Sequence, residues 1–252
     1  MKKRPYISHA VEIRYRDHLS GDSSIASQMR SVFDLLRGTA SSDPLLHPDR
    51  WLIATGEMET SYLYRAFDKD GPTSSALAVL AENNKGATAL QSFSLWNGSE
   101  ERTKGASIAC LFSRADGRSS SLTFSMASEP DEFRLEDTAH GTKVVMEAVQ
   151  IYDPVYCAFG AEQYEPVFPD RPGVGWMLYL PLVLTVQQVP EAHALVRVHG
   201  KDKQGKDVQI GTIITSVTDA PFSDENPEHV KIANAIEIRL VDQDLLPRYS
   251  DL

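Results

Sequence analysis

The chain has 252 residues, 42% of them hydrophobic and 24% charged, with a formal net charge of −10. That length buries a real core in one large or two small domains, and no apolar run approaches the roughly 20 residues of a bilayer span. An acidic chain is repelled by nucleic acid, so direct DNA or RNA binding is not expected.

The start, "MKKRPYISHAVEIRYRDH", has the basic opening of a signal peptide. Glu12, Arg14 and Arg16 interrupt any apolar core for one, so a cytoplasmic protein is expected. "YISHAVEIRYR" (6–16) alternates as a half-buried strand does. After a turn at Gly21, "DSSIASQMRSVFDLLRG" carries Ile25, Met29, Val32, Phe33 and Leu36 on one helical face and is expected to stop at Gly38. "RWLIATG" reads as a short strand, and 57–86 as irregular or helical insertions around Gly71-Pro72. "TALQSFSLW" (88–96), "ASIACLFS" (106–113) and "SLTFSMA" (121–127) form a three-strand antiparallel meander, because their spacers are rich in glycine and charge. A helix over 142–152 follows the acidic loop "EPDEFRLEDTAHG", then a short strand "PVYCAFG".

"PGVGWMLYLP" (172–181) is too short to cross a membrane and too apolar for an exposed edge. It reads as a strand buried on both faces with its proline at the end. The glycines permit a tight turn or close backbone approach. Trp176 and Tyr179 are core residues on this reading; a ligand platform is the alternative. A hairpin follows, with strands near 192–199 and 207–217 around a turn at Lys201–Gly205. "EHVKIANAIEIRLVDQDLL", capped by Ser223 or Asp224, reads as helix to about 235; Ile236, Ile238 and Leu240 also fit a strand. The sum is an α+β fold with a largely antiparallel sheet and packed helices. It is expected to be a single domain over 1–252, with 128–140 as the place where it would subdivide. The pattern allows two similar halves, though no internal repeat marks them.

Charge is regional. From Glu129 to Asp170 ten acids face only Arg134 and Lys143, a net −8; from Asp219 onward the net is −5; the first 18 residues are net +3. The densest stretch, "EPDEFRLED", holds Glu129, Asp131, Glu132, Glu136 and Asp137, with only Arg134 as an internal partner. Such a field steers a basic partner, or it is a set of solvated faces and loops. Asp219, Asp224 and Glu225 in "DAPFSDENPE" are the second candidate.

No catalytic constellation stands out. "GPTSSA" lacks a lysine, and "PGVG" precedes a strand rather than a helix; HExxH, CxxC and a nucleophile elbow are missing. His193 and His199 would share a strand face about 20 Å apart, too far for one metal. His140, beside Glu136 and Asp137, is a conceivable base but reads as solvent-exposed. Cys110 and Cys157 sit in apolar runs and read as buried free thiols. No catalytic, cofactor-binding or metal site is assigned.

Two stretches carry a resemblance. "GVGWMLYLP" (173–181) resembles the central segment, and "GTIITSVTDAPFSDENPEHVKIANAIEIRLVDQDLLP" (211–247) the C-terminal end, of the immunity protein 52 family of bacterial polymorphic toxin systems; "VVMEAVQIYDPVYCAF" (144–159) is similar in kind. The resemblance implies a cytoplasmic immunity protein that neutralises a cognate toxin, usually a nuclease of restriction-endonuclease fold, delivered by a type VI or contact-dependent route. It implies no enzyme activity, cofactor, membrane contact or nucleic-acid contact. The eight acids named above are then the expected toxin-binding residues. The rival expectation is an α+β enzyme or small-ligand binder that uses 172–181 and nearby acids.

Overall fold

The computed structural model describes residues 4–16, 24–87, 89–113, 119–130, 132–135, 137–202 and 204–252. The expected turn at Gly21, most of the 114–120 spacer, and Asp131 and Glu136 lie outside them. The strands are β1 (Ile7–Arg16), β2 (Leu52–Ile53), β3 (Phe67–Asp68), β4 (Gly71–Pro72), β5 (Leu90–Trp96), β6 (Ala106–Ser113), β7 (Ser119–Ser128), β8 (Tyr156–Ala161), β9 (Met177–Leu180), β10 (Ala194–Lys201) and β11 (Asp207–Thr215). The helices are α1 (Ile25–Thr39), α2 (Met58–Ser61), α3 (Ser74–Asn83), α4 (Thr138–Tyr152) and α5 (Pro227–Asp242). The fold is α+β.

The chain divides into two compact units, Met1–Ile7 with Arg14–Arg134, and Ser8–Ile13 with Leu135–Leu252. β1 contributes to both. In the first unit the strand order is β1-β7-β6-β5-β2, and in the second β10-β11-β9-β8-β1. The pairings β7–β6, β6–β5, β5–β2, β8–β9, β9–β11 and β11–β10 are antiparallel.

In the first unit β6 and β7 bury alternate residues, so one face of the meander is core. α1 begins at Ser24, whose side chain accepts the Ser27 amide, and buries Met29, Val32, Phe33, Leu35 and Leu36. It runs one residue past the expected stop at Gly38, because Thr39 is buried and returns its hydroxyl to the Leu35 and Leu36 carbonyls. Tyr15 ties the helix to the sheet, donating to Gln28 at 2.6 Å beside the Cys110 sulfur.

In the second unit every residue of β9 is buried. Trp176 is fully buried, donates Nε1–H to the Val217 carbonyl at 2.9 Å and packs on Phe159 at 5.3 Å between ring centroids. Gly175 explains the "PGVG" turn. Its φ is +52°, and a Cβ there would sit 3.2 Å from the Gly160 Cα. A side chain is therefore disfavoured both by conformation and by the approach of Gly160. Gly211 serves Tyr179 in the same way: a Cβ at Gly211 would meet the tyrosine ring at 2.4 Å.

Two further helices differ from expectation at their boundaries. α4 starts at Thr138, not 142, because Asp137 caps it. α5 runs to Asp242, and its cap is Asn226 followed by Pro227 rather than Ser223 or Asp224. Ala233, Ile236, Glu237 and Leu240 form its buried stripe, whereas Ile238 is exposed. The strand alternative for 236–240 is thus wrong. A glutamate occupies one core position of a regular helical face and hides its period.

Candidate functional site

Sequence reasoning treats Arg134 as the one cation that could neutralise the acidic stretch. It is turned inward instead. Its guanidinium pairs with Asp43 at 2.5 Å, both side chains being nearly buried, and donates to the Gly105 carbonyl at 2.9 Å. Asp43 in turn caps the Pro44–Leu46 turn through the Leu45 amide. The result is an acidic segment without its cation. Glu129 and Glu132 are exposed, joined through their backbones, and make no ion pair among the described residues.

Asp137 has a different task. Its carboxylate accepts the His140 amide at 2.8 Å and faces His140 Nδ1 at 2.9 Å. The amide hydrogen bond and the adjacent imidazole hold its carboxyl below the usual range. His140 is therefore a capping partner on the first turn of a helix, not a residue of an open acidic loop.

Within the second unit the Thr138 hydroxyl donates to the Thr218 carbonyl at 3.0 Å, tying the start of α4 to the segment that carries Asp219. Asp219 and Glu225 are exposed and Asp224 half-buried. The segment they occupy is held from below by two imidazoles. His9 is buried and donates Nε2–H to the Phe222 carbonyl at 2.9 Å. His229 Nδ1 accepts the Ser223 amide at 3.1 Å, and its ring packs against Phe222. Burial pushes both histidines below their ordinary value. Asp224 and Glu162 pull His9 the other way; at His229 Asp219 opposes the shift and His193 adds to it.

The 172–181 segment, the basis of the rival expectation, is core: residues 174 and 176–180 are all at most 1% exposed. Its far end borders a cleft of about 370 Å³, lined by Arg171, Leu180 and Leu182 among others. There the Arg171 guanidinium donates to the Leu246 carbonyl. The acid nearest to the segment is Glu237, which sequence reasoning missed. It is fully buried and accepts the Val167 amide at 2.7 Å, the Val174 amide at 2.9 Å and the Tyr164 hydroxyl at 2.7 Å. Burial raises its carboxyl above the ordinary range, against the pull of those donors. Three protein donors satisfy it, so it works as a clasp for the 164–174 loop. Among the described residues no group of three or more His, Cys, Asp or Glu could hold a metal. Cys110 and Cys157 are buried and free, and burial pushes the Cys157 thiol far up. No helix among the described residues is long and apolar enough to cross a membrane.

A family profile described as Immunity protein 52 matches residues 18–248. The chain belongs to the Immunity protein 52 family. No curated protein matches it. Among solved structures, the Pseudomonas aeruginosa T6SS protein PA0821 has a similar fold, with a TM-score of 0.50 at 10% identity over 93% of this chain and 73% of that one. Membership in the Immunity protein 52 family gives the chain an immunity-type role, the binding of a cognate toxin.

Proposed function

We propose that this Immunity protein 52 member binds and neutralises a cognate nuclease toxin of restriction-endonuclease fold in the cytoplasm, by stoichiometric binding and without turnover. The family match over most of the chain carries the reading. Uncompensated surface acid supports the choice of toxin. A nuclease surrounds its active site with positive charge to attract DNA, and an inhibitor with a complementary field associates fast and docks in register. Glu129, Glu132 and Asp219 are exposed and make no ion pair among the described residues. Glu129 and Glu132 in the first unit, and Asp219, Asp224 and Glu225 in the second, are the proposed steering acids, each set taken by itself; Asp131 and Glu136, the remaining candidates of the sequence, lie outside the described residues. Asp137 contributes less, because its carboxylate is already held by the first turn of its helix. The fold likeness to a T6SS protein supports a type VI route of delivery over the contact-dependent one.

The rival reading, an enzyme or small-ligand binder, has one observation in its favour, the cleft beside Arg171. Co-expression separates the two. Cells that make the cognate toxin should survive when the chain is present and die when it is absent. Death in both cases, together with turnover of a small substrate by the purified chain, reverses the order.

A further inference from the structure

At one end of the first unit's sheet lie the last residues of β5 and β7 and the first of β6. The segments 43–51, 54–65 and 97–105 gather there, with residues 129, 130 and 132–134. They are stitched together by Asn97, which donates to the Leu45 and Lys104 carbonyls, and by the inward-turned Arg134. Among them α2 and its following turn expose Met58 (53%), Tyr62 (43%) and Leu63 (73%) within six residues. Tyr62 is not loose. Its hydroxyl donates to Glu100 at 2.9 Å, and its ring packs edge-on against Trp96 at 5.6 Å. It also lines a cleft of about 650 Å³ whose wall includes Arg50 and Arg65. Both arginines are exposed, and neither guanidinium has an ion-pair partner among the described residues. The acidic Glu129 and Glu132 follow directly on β7, next to the Arg134 anchor.

We propose that this loop end of the first unit is the surface that grips the toxin. The inference rests on the reading of the chain as a toxin-binding immunity protein, and names the contact. Three features select this surface. A pre-ordered tyrosine with methionine and leucine beside it has the composition of an interface centre, where Tyr, Met and Arg are enriched. An aromatic already fixed by two contacts loses little freedom on binding. Unpaired arginines beside an apolar centre, with uncompensated glutamates on the rim, match a basic toxin that offers an apolar side chain and a carboxylate at its own centre. Val183 and Val186 in the second unit are exposed as well, and in that unit Arg239 is already paired with Glu191 at 2.6 Å.

The test uses the full chain and the catalytic domain of its cognate toxin. Leu63→Asp with Arg65→Glu is measured for toxin affinity against wild type, with Val186→Asp as the control and melting temperature as the fold check. The double variant should bind about 100-fold more weakly at an unchanged melting temperature, while the control binds as wild type. Amide exchange across 57–65 should slow when toxin is added to the wild-type chain, a readout that needs no variant. Wild-type affinity in the double variant, or unchanged exchange across 57–65 while the toxin is neutralised, overturns this surface and leaves the immunity reading standing. A wild-type chain that neither binds nor neutralises the toxin overturns both.

Discussion

Replacing Glu237 with alanine removes the acceptor of two buried amides and one hydroxyl. The Tyr164 hydroxyl keeps Asn234 Oδ1 at 2.8 Å as an alternative, so Val167 and Val174 are the groups left stranded. A buried donor without a partner costs about 1–3 kcal/mol, which puts the loss at roughly 2–6 kcal/mol for the pair. That is a large part of the ~5–15 kcal/mol stability of an ordinary domain. Glutamine keeps one carbonyl oxygen but turns its amide toward the other N–H, and should cost about 1–3 kcal/mol. Urea unfolding at neutral pH measures both. The pH dependence sharpens the test. Because burial raises the Glu237 carboxyl, its stabilising contribution is full below its unfolded value and is lost as pH rises through the raised folded value. Glutamine does not titrate, so the advantage of wild type over Glu237→Gln should shrink from about pH 4 to pH 7. An alanine variant as stable as wild type refutes the clasp, and an advantage that widens with pH refutes the raised carboxyl, since the three donors would then outweigh burial.

Trp176→Ala should cost roughly 3–5 kcal/mol through the cavity it leaves, and the unfolding midpoint should fall before any change in toxin affinity at permissive temperature. His9 is held below its ordinary value, so its contribution is complete above about pH 6.5 and is lost as pH falls toward the folded value. A His9→Gln chain should show a shallower drop in melting temperature between pH 7.5 and pH 5, and an equal drop would exclude His9 as the source. Glu129→Lys with Glu132→Lys, leaving the Asp137 cap intact, should slow toxin association and flatten its salt dependence between two ionic strengths; stopped-flow rates that do not change would clear these acids.

The meander was legible because its spacers concentrate glycine and charge between β-rich runs, and β9 because an unbroken apolar run of that length admits few alternatives. The end of α5 was not. Glu237 sits on the buried stripe, and nothing local announces that Val167 and Val174, 70 and 63 residues earlier in the chain, supply its partners. Asp137 could have been found, since an aspartate immediately before a helical period is a cap signal; the charge run around it drew the boundary four residues late. Arg134 could not, because the acid that claims it lies 91 positions away. The same limit hid the loop end of the first unit. "METSYLYR" has no useful period, and its exposed face emerges only once β2 pairs with β5 and Trp96 fixes Tyr62.

The central claim is that one chain silences one toxin by binding it. The most direct measurement titrates the purified chain into the catalytic domain of the proposed cognate nuclease toxin and follows cleavage of plasmid DNA. The account predicts that cleavage stops near one molar equivalent, and that the two proteins then elute as a single complex. Cleavage that continues undiminished at a several-fold excess of folded chain contradicts it.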